Sequence, residues 1–227
     1  MKEIFIERRE KILRIAVKSN NELIESIVEE KRNEPIIGEL YKGRIKNILP
    51  GINSIFVDLG LEKEGYMYYS EELKAKNVKK GDEILVEVVK EPINEKGAKL
   101  THKACIPGKY VVLNCYREGI EFSRRITDES VKKSILDNID SLDNAGITVR
   151  TEGADVEIDV LKREINKLHE EFKKIDNQMK FSSNLKKLYG ENLTLNKVLM
   201  NCSMNDNIKI HVNNEEDFEY VLSLIHI

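Results

Sequence analysis

Hydrophobic and polar residues alternate along the first hundred residues of the chain in the way that is typical of β-strands. Ile4 and Ile6 begin this pattern, and apolar segments at 12–17 and 23–28 continue it. Five further segments, separated by glycine, proline and asparagine, follow between residues 36 and 102. Their predicted strands are 39–49, 54–59, 65–68, 83–89 and 98–101. We therefore predict a β-meander followed by a five-stranded barrel.

A helical period replaces this alternation at residues 154–175. Apolar side chains recur every three or four positions, at Ile158, Leu161, Ile165, Leu168, Phe172 and Ile175. This spacing predicts one long amphipathic helix. We expect the helix to pack on its own domain, and a short dimerising coiled coil is the alternative.

Shorter elements are predicted around this helix. We expect a strand at 110–114, a helix at 130–139 and a strand at 147–151. In the tail we expect a helix at 194–202, a strand at 207–212 and a helix at 215–224. The chain then stops on an apolar segment, which suggests a sequence cut within a fold, although an artefact in the last residues is also open.

Composition narrows the possible functions. Charged residues make up 34% of the 227 residues, but the net charge is only −3. Any surface that binds nucleic acid must therefore be a local basic patch. No apolar run reaches the length of a membrane span, and the N-terminus has no signal-peptide core. Cys105, Cys115 and Cys202 are widely spaced, which favours reduced thiols and a cytoplasmic location.

One candidate binding surface lies on the predicted barrel. If Ile55 and Val57 face the core, Phe56 between them faces outward, where a ring can stack on a base. Tyr66 falls on the neighbouring strand. A surface aromatic, or a ring packed against another domain, is an equally good interpretation of Phe56. Basic residues alternate on the first barrel strand at Lys42, Arg44 and Lys46, and Lys96 lies in a distant turn.

A second candidate site lies beyond the barrel. Arg124 and Arg125 follow Ser123 after a strand, and Arg150 and Thr151 close another strand before Gly153. An arginine fork beside a hydroxyl is suited to a terminal phosphate, and backbone amides near Gly153 would add donors. A surface ion pair is the more common role of such an arginine. No histidine, cysteine or paired-carboxylate spacing indicates a metal site.

Seven motifs, in order, resemble the N-terminal half of the ribonuclease E/G family, the bacterial endoribonucleases of RNA processing and decay. They are Tyr-Lys-Gly-Arg-Ile (41–45), Leu-Pro-Gly (49–51), Phe-Val-Asp-Leu-Gly (56–60), Val-Val-Lys-Glu-Pro (88–92), Lys-Gly-Ala-Lys-Leu-Thr (96–101), Ser-Arg-Arg-Ile (123–126) and Val-Arg-Thr (149–151).

The resemblance implies an α+β fold in which an S1/OB-type five-stranded barrel is inserted in a split, inactive RNase H-like fold and precedes a 5′-sensor. The implied divisions are 1–36 and 188–227 for the RNase H-like parts, 37–103 for the barrel and 104–187 for the sensor. It implies RNA contacts at Phe56, Tyr66 and Lys96, with Tyr66 replacing the family's commoner phenylalanine. It also implies a 5′-monophosphate pocket formed by Gly108, Val112, Arg124, Arg125, Arg150 and Thr151.

The family's magnesium-binding aspartates and the zinc link between its protomers lie further downstream than this chain extends. The resemblance therefore implies no cofactor in this chain, and Mg²⁺ and zinc only in a catalytic part beyond it. We expect a chain that binds single-stranded RNA, preferably 5′-monophosphorylated, without cutting it, and that forms homo-oligomers only with that further part. A stand-alone S1-domain RNA-binding protein without nuclease activity is the alternative.

Overall fold

The computed structural model describes residues 1–30, 36–190, 192–201 and 207–225, with side chains up to 222. Cys202 lies outside these residues. The chain divides into two units, Met1–Asn33 with Thr194–Ile227, and Glu34–Leu193. In the described part of the chain no helix is long and apolar enough to cross a bilayer.

Within the described residues the fold is α+β. The strands, in chain order, are β1 (Lys2–Arg9), β2 (Ile12–Ser19), β3 (Glu22–Glu30), β4 (Leu40–Leu49), β5 (Ser54–Asp58), β6 (Gly65–Tyr68), β7 (Glu83–Lys90), β8 (Lys99–Thr101), β9 (Cys105–Pro107), β10 (Val111–Cys115), β11 (Gly119–Phe122), β12 (Ala145–Val149), β13 (Lys186–Tyr189) and β14 (Ile208–Val212). The helices are α1 (Glu71–Ala75), α2 (Glu129–Asn138), α3 (Ile158–Phe181), α4 (Leu193–Met200) and α5 (Glu215–Ile225).

The first unit is a four-stranded sheet in the order β14-β1-β2-β3. Strand β1 is antiparallel to β2 and parallel to β14, with Ile4 opposite Ile210. Ile4 and Ile6 are buried against Leu195 of α4 and Val221 of α5. The tail strand thus completes the sheet of the N-terminal meander.

The barrel of the second unit closes in the order β4-β5-β6-β8-β7, with β7 pairing back to β4. All five predicted barrel strands are present, and their ends differ from the prediction by one residue at most. Ile55, Val57 and Met67 fill the interior. Gly43 is needed on β4 because a Cβ there would lie 2.4 Å from the Val57 side chain.

The second unit also contains a four-stranded sheet, β11-β12-β10-β9, on which α3 packs, while β13 pairs with the outer edge of β4. Five of the six predicted stripe residues are buried in one core with Val111, Leu113 and Val149, whereas Ile158 is half-buried. Packing on its own domain is thus confirmed for α3. The helix begins later than predicted because Thr151–Asp155 forms a short 3₁₀ turn, and it continues to Phe181 because no glycine or proline interrupts it.

Candidate nucleic-acid interface

Phe56 on β5 lies directly opposite Tyr66 on β6, on the outer face of the barrel. Their strand neighbours Ile55, Val57 and Met67 are buried in the barrel core, so the alternation of the strands directs both rings outward. Both rings are half-buried. Opposed residues of an antiparallel pair have Cβ atoms only about 5 Å apart, so the two side chains begin next to each other on this outer face, which we call the aromatic surface.

Tyr68 extends this aromatic surface and was missed in the sequence analysis. It lies two residues after Tyr66, on the same face of β6, and is 60% exposed. Residues two apart in a strand lie on the same face, so the sequence position of Tyr68 relative to Tyr66 could have identified it. Lys99, which is exposed, lies opposite Tyr66 on β8.

Lys96 is held close to the start of β6 by its glycine neighbour. Ile93 and Lys96 exchange backbone hydrogen bonds of 3.1 and 2.9 Å, which closes a tight turn. A Cβ on Gly97 would lie 1.7 Å from the carbonyl oxygen of Glu64, so only glycine allows the turn to approach this strand. The Tyr66 N–H then donates to the Ala98 carbonyl over 2.9 Å. Lys96 itself is exposed.

The three basic residues of β4 all pair with carboxylates, and one of them is buried. The Lys42 side chain is 2% exposed, and its ammonium group pairs with Glu83 over 2.6 Å. Arg44 pairs with the same carboxylate over 2.9 Å, and Lys46 lies 3.5 Å from Asp58. Hydrogen bonds from Lys42 and then Arg44 hold the pKa of Glu83 below its usual value. The carboxylates come from the two strands beside β4, Glu83 from β7 and Asp58 from β5, and the end of α3 covers Lys42.

Arg150 follows β12 and is anchored twice to the loop between β9 and β10. Its Nη1 donates to the Gly108 carbonyl oxygen over 2.8 Å, and its backbone N–H donates to the Tyr110 carbonyl over 2.8 Å. Among the described residues, no carboxylate lies within 4.0 Å of its guanidinium nitrogens. The half-buried guanidinium therefore keeps N–H groups for an anion.

Thr151 lies beside Ser123, with 3.1 Å between the two hydroxyl oxygens. Gly153 is buried below them, and a Cβ there would lie 2.6 Å from the Tyr110 carbonyl oxygen. The predicted use of backbone amides near Gly153 needs a correction, because the Gly153 N–H donates to the Arg150 carbonyl over 2.9 Å.

The remaining predicted residues divide into two groups. Gly108 is buried, and Val112 is half-buried. Val112 lies opposite Thr148 on β12. Arg150 follows Thr148 by two residues, so strand alternation places it on the same face of the sheet. Arg124 and Arg125 are exposed directly after Ser123. The Arg125 N–H donates to the Ser123 hydroxyl over 3.5 Å, and within the described residues neither guanidinium is hydrogen-bonded to Arg150.

Glu164 of α3 contacts the same loop and was also missed. It is 4% exposed and accepts backbone hydrogen bonds from Lys109, Tyr110 and Val111. The available signal was a carboxylate on the buried stripe of α3, three residues after Leu161 and next to Ile165. Such a residue needs partners, although its own sequence position does not identify them.

Metal chemistry is not built into these residues. Across the residues that the structure describes, no three His, Cys, Asp or Glu side chains lie together so as to hold a metal ion. Burial raises the pKa of both the Cys105 and the Cys115 thiol to about 12, which disfavours the thiolate that zinc binds. Among the described residues, therefore, no set of side chains fits a magnesium or zinc ion.

Comparison with known proteins finds similarity to ribonucleases E and G. A sequence model described as "Ribonuclease E/G family" matches residues 105–227. Ribonuclease G of Haemophilus influenzae is 30% identical over 200 residues, which cover 78% of this chain and 40% of that protein. Ribonuclease G of Escherichia coli is 28% identical over 231 residues, covering 92% and 47%. Ribonuclease E of a Nostoc species is 34% identical over 164 residues, covering 66% and 23%. The chain thus spans less than half the length of these relatives.

Proposed function

The chain belongs to the ribonuclease E/G family, and from that premise we propose that it binds single-stranded RNA and holds the RNA's 5′-monophosphate. In this proposal residues 37–103 are an S1-type RNA-binding barrel and residues 104–187 are a 5′-sensor. In this proposal the chain captures RNA and orients it for the cleavage reaction that the ribonuclease family performs.

The barrel contributes affinity in this proposal. Phe56 and Tyr66 offer ring faces on which successive unpaired bases stack, an interaction that tolerates any sequence. Lys96, held close to β6 by the Gly97 contact, supplies a cation for the RNA backbone. Because stacking needs splayed bases, the surface selects single strands over duplex RNA.

The observation that carries the sensor proposal is the anchored guanidinium of Arg150. One nitrogen is fixed by the Gly108 carbonyl, no carboxylate among the described residues neutralises the charge, and the Thr151 hydroxyl follows in the chain. A monophosphate accepts charge-assisted hydrogen bonds from such a fork and hydroxyl. A 5′-hydroxyl end offers no anion. A triphosphate is bulkier and more highly charged, so we expect the site to favour the monophosphate.

The proposal is tested by fluorescence anisotropy with an unstructured oligoribonucleotide of about 12 nucleotides, which matches an OB-fold site. The same sequence is prepared with a 5′-phosphate and with a 5′-hydroxyl. We expect the parent protein to favour the phosphorylated form by about tenfold, the value of one charge-assisted hydrogen bond. Arg150→Ala should abolish this preference.

The matched control is Arg163→Ala, which removes an exposed arginine whose Nε donates to the Asp159 carbonyl on the surface of α3. This control should keep the parent's preference. Equal binding of both RNA forms by the parent protein, or an unchanged preference in Arg150→Ala, would refute the sensor proposal.

A further inference from the structure

Glu164 is a buried carboxylate whose hydrogen bonds all lead to one short loop. The N–H of Lys109 donates to Oε1 over 2.6 Å, and the N–H groups of Tyr110 and Val111 donate to Oε2 over 2.8 and 3.0 Å. A buried carboxylate is costly unless such donors satisfy it. Here three consecutive backbone amides do so, and this ties the loop between β9 and β10 to α3.

The loop is pressed closely against this carboxylate. A Cβ on Gly108 would lie 2.9 Å from Cδ of Glu164 and 2.7 Å from the Val111 carbonyl oxygen. The Gly108 N–H donates to that same carbonyl over 2.8 Å. The orientation of the Gly108 peptide is therefore determined from both sides, by the turn and by Glu164.

The outward side of the same loop holds Arg150. The Gly108 carbonyl accepts from Nη1 of Arg150, and the Tyr110 carbonyl accepts from its backbone N–H, both over 2.8 Å. Any shift of the loop away from Glu164 moves both acceptors. An arginine fixed in advance loses less conformational freedom when it binds an anion than a mobile one does.

We infer that Glu164 is a positioning residue for the 5′-phosphate site, which acts through the Gly108 carbonyl on the guanidinium of Arg150. This inference rests on the proposed function. Glu164 touches no RNA in this arrangement, so it alters the preference for a 5′-phosphate and leaves general RNA affinity unchanged. A carboxylate is required because both of its oxygens only accept hydrogen bonds, whereas a glutamine places an NH₂ donor against a backbone N–H.

The test compares the parent protein with Glu164→Gln, Glu164→Asp and the control Glu170→Gln. Glu170 is exposed on the same helix and pairs with Lys173. Dissociation constants are measured for the 5′-phosphate and 5′-hydroxyl oligoribonucleotides, and urea unfolding shows that each variant is folded.

We expect Glu164→Gln to lower the 5′-phosphate preference by about fivefold, as one weakened charge-assisted hydrogen bond would. Its affinity for the 5′-hydroxyl RNA should stay at the parent value. Glu164→Asp, which keeps both acceptors, should retain part of the preference, and Glu170→Gln should retain all of it.

A folded Glu164→Gln variant with the parent's preference would overturn the inference and leave the proposed function intact. Loss of the folded state in both Glu164 variants would also overturn it, because Glu164 would then determine the fold and not the loop. If the parent protein itself shows no preference, the proposed function fails and the inference fails with it.

Discussion

The ammonium group of Lys42 donates to the carbonyl oxygen of Ser182 over 2.6 Å, so that a barrel strand caps the C-terminal end of α3. The same ammonium donates to the Met179 carbonyl over 2.8 Å and pairs with Glu83 over 2.6 Å. The last carbonyls of a helix have no partner within it, and a cation there also interacts favourably with the helix dipole. Lys42 thus links the β-barrel to the helix that carries Glu164.

Replacing Lys42 with methionine should destabilise the protein. The substitution keeps most of the aliphatic stem but leaves two helix-end carbonyls and Glu83 without this donor. We expect a loss of about 2–4 kcal/mol in the free energy of unfolding, measured with urea. The control is Lys46→Met, whose exposed pair with Asp58 spans 3.5 Å and should change the free energy by less than about 0.5 kcal/mol. Similar losses in the two variants would contradict a special role for Lys42.

Removing the Phe56 ring should weaken RNA binding without affecting the 5′-phosphate preference. Phe56→Ala removes one stacking face, which is worth about 1–3 kcal/mol of binding free energy per base. Phe181→Ala is the control, because Phe181 is 83% exposed at the end of α3 and has no aromatic partner on the barrel face. Binding titrations with single-stranded RNA distinguish the two. Parent-like affinity of Phe56→Ala would show that its ring does not contact RNA.

Gly97 should tolerate no side chain. Because a Cβ there would lie 1.7 Å from the Glu64 carbonyl oxygen, Gly97→Ala forces the turn of Lys96 away from β6. We expect a loss of about 1–3 kcal/mol in the free energy of unfolding and weaker RNA binding. Gly51→Ala is the matched control, since nothing lies within 4 Å of its Cβ position. A Gly97→Ala variant as stable as Gly51→Ala would mean that the close approach is unimportant.

Glu87 should make stability depend on pH. Burial raises the pKa of Glu87 above its ordinary value of about 4.3. A raised pKa in the folded state favours folding at low pH, and this contribution is lost as the pH rises through the raised pKa. Glu87→Gln removes the titration and keeps an oxygen that can accept from the Cys105 N–H, now 3.0 Å from the carboxylate.

The stability of Glu87→Gln relative to the parent should therefore increase between about pH 4 and about pH 7. Urea unfolding at the two pH values measures this difference, and the comparison with the parent cancels the titration of the other carboxylates. A difference that stays constant or decreases would show that the charged form of Glu87 is not disfavoured in the folded state.

Local periodicity was sufficient to predict which side chains of a strand or helix face the core. The alternation around Phe56 predicted its outward ring, and the stripe through Leu161 and Phe172 predicted the buried face of α3. These features repeat every two residues or every three to four residues, so a single sequence contains them in full.

Contacts between distant segments were not readable in the same way. Lys42 resembled an exposed strand lysine, because the carbonyls that bury it belong to residues 137 and 140 positions away. Glu164 finds its amide partners 53–55 positions earlier in the chain. The close approach of Gly97 to Glu64 likewise depends on how the barrel closes. Such pairings are set by tertiary packing, which overrides local pattern.

The central claim is that the protein recognises a phosphate at the 5′ end of RNA, and one comparison tests it most directly. The parent protein is titrated with two oligoribonucleotides of identical sequence, one phosphorylated at the 5′ end and the other at the 3′ end. Their charges match, so the electrostatic contribution from counterion release is the same for both. We predict tighter binding of the 5′-phosphorylated RNA by about tenfold. Equal dissociation constants would contradict the claim, because they would show that the protein responds to charge alone.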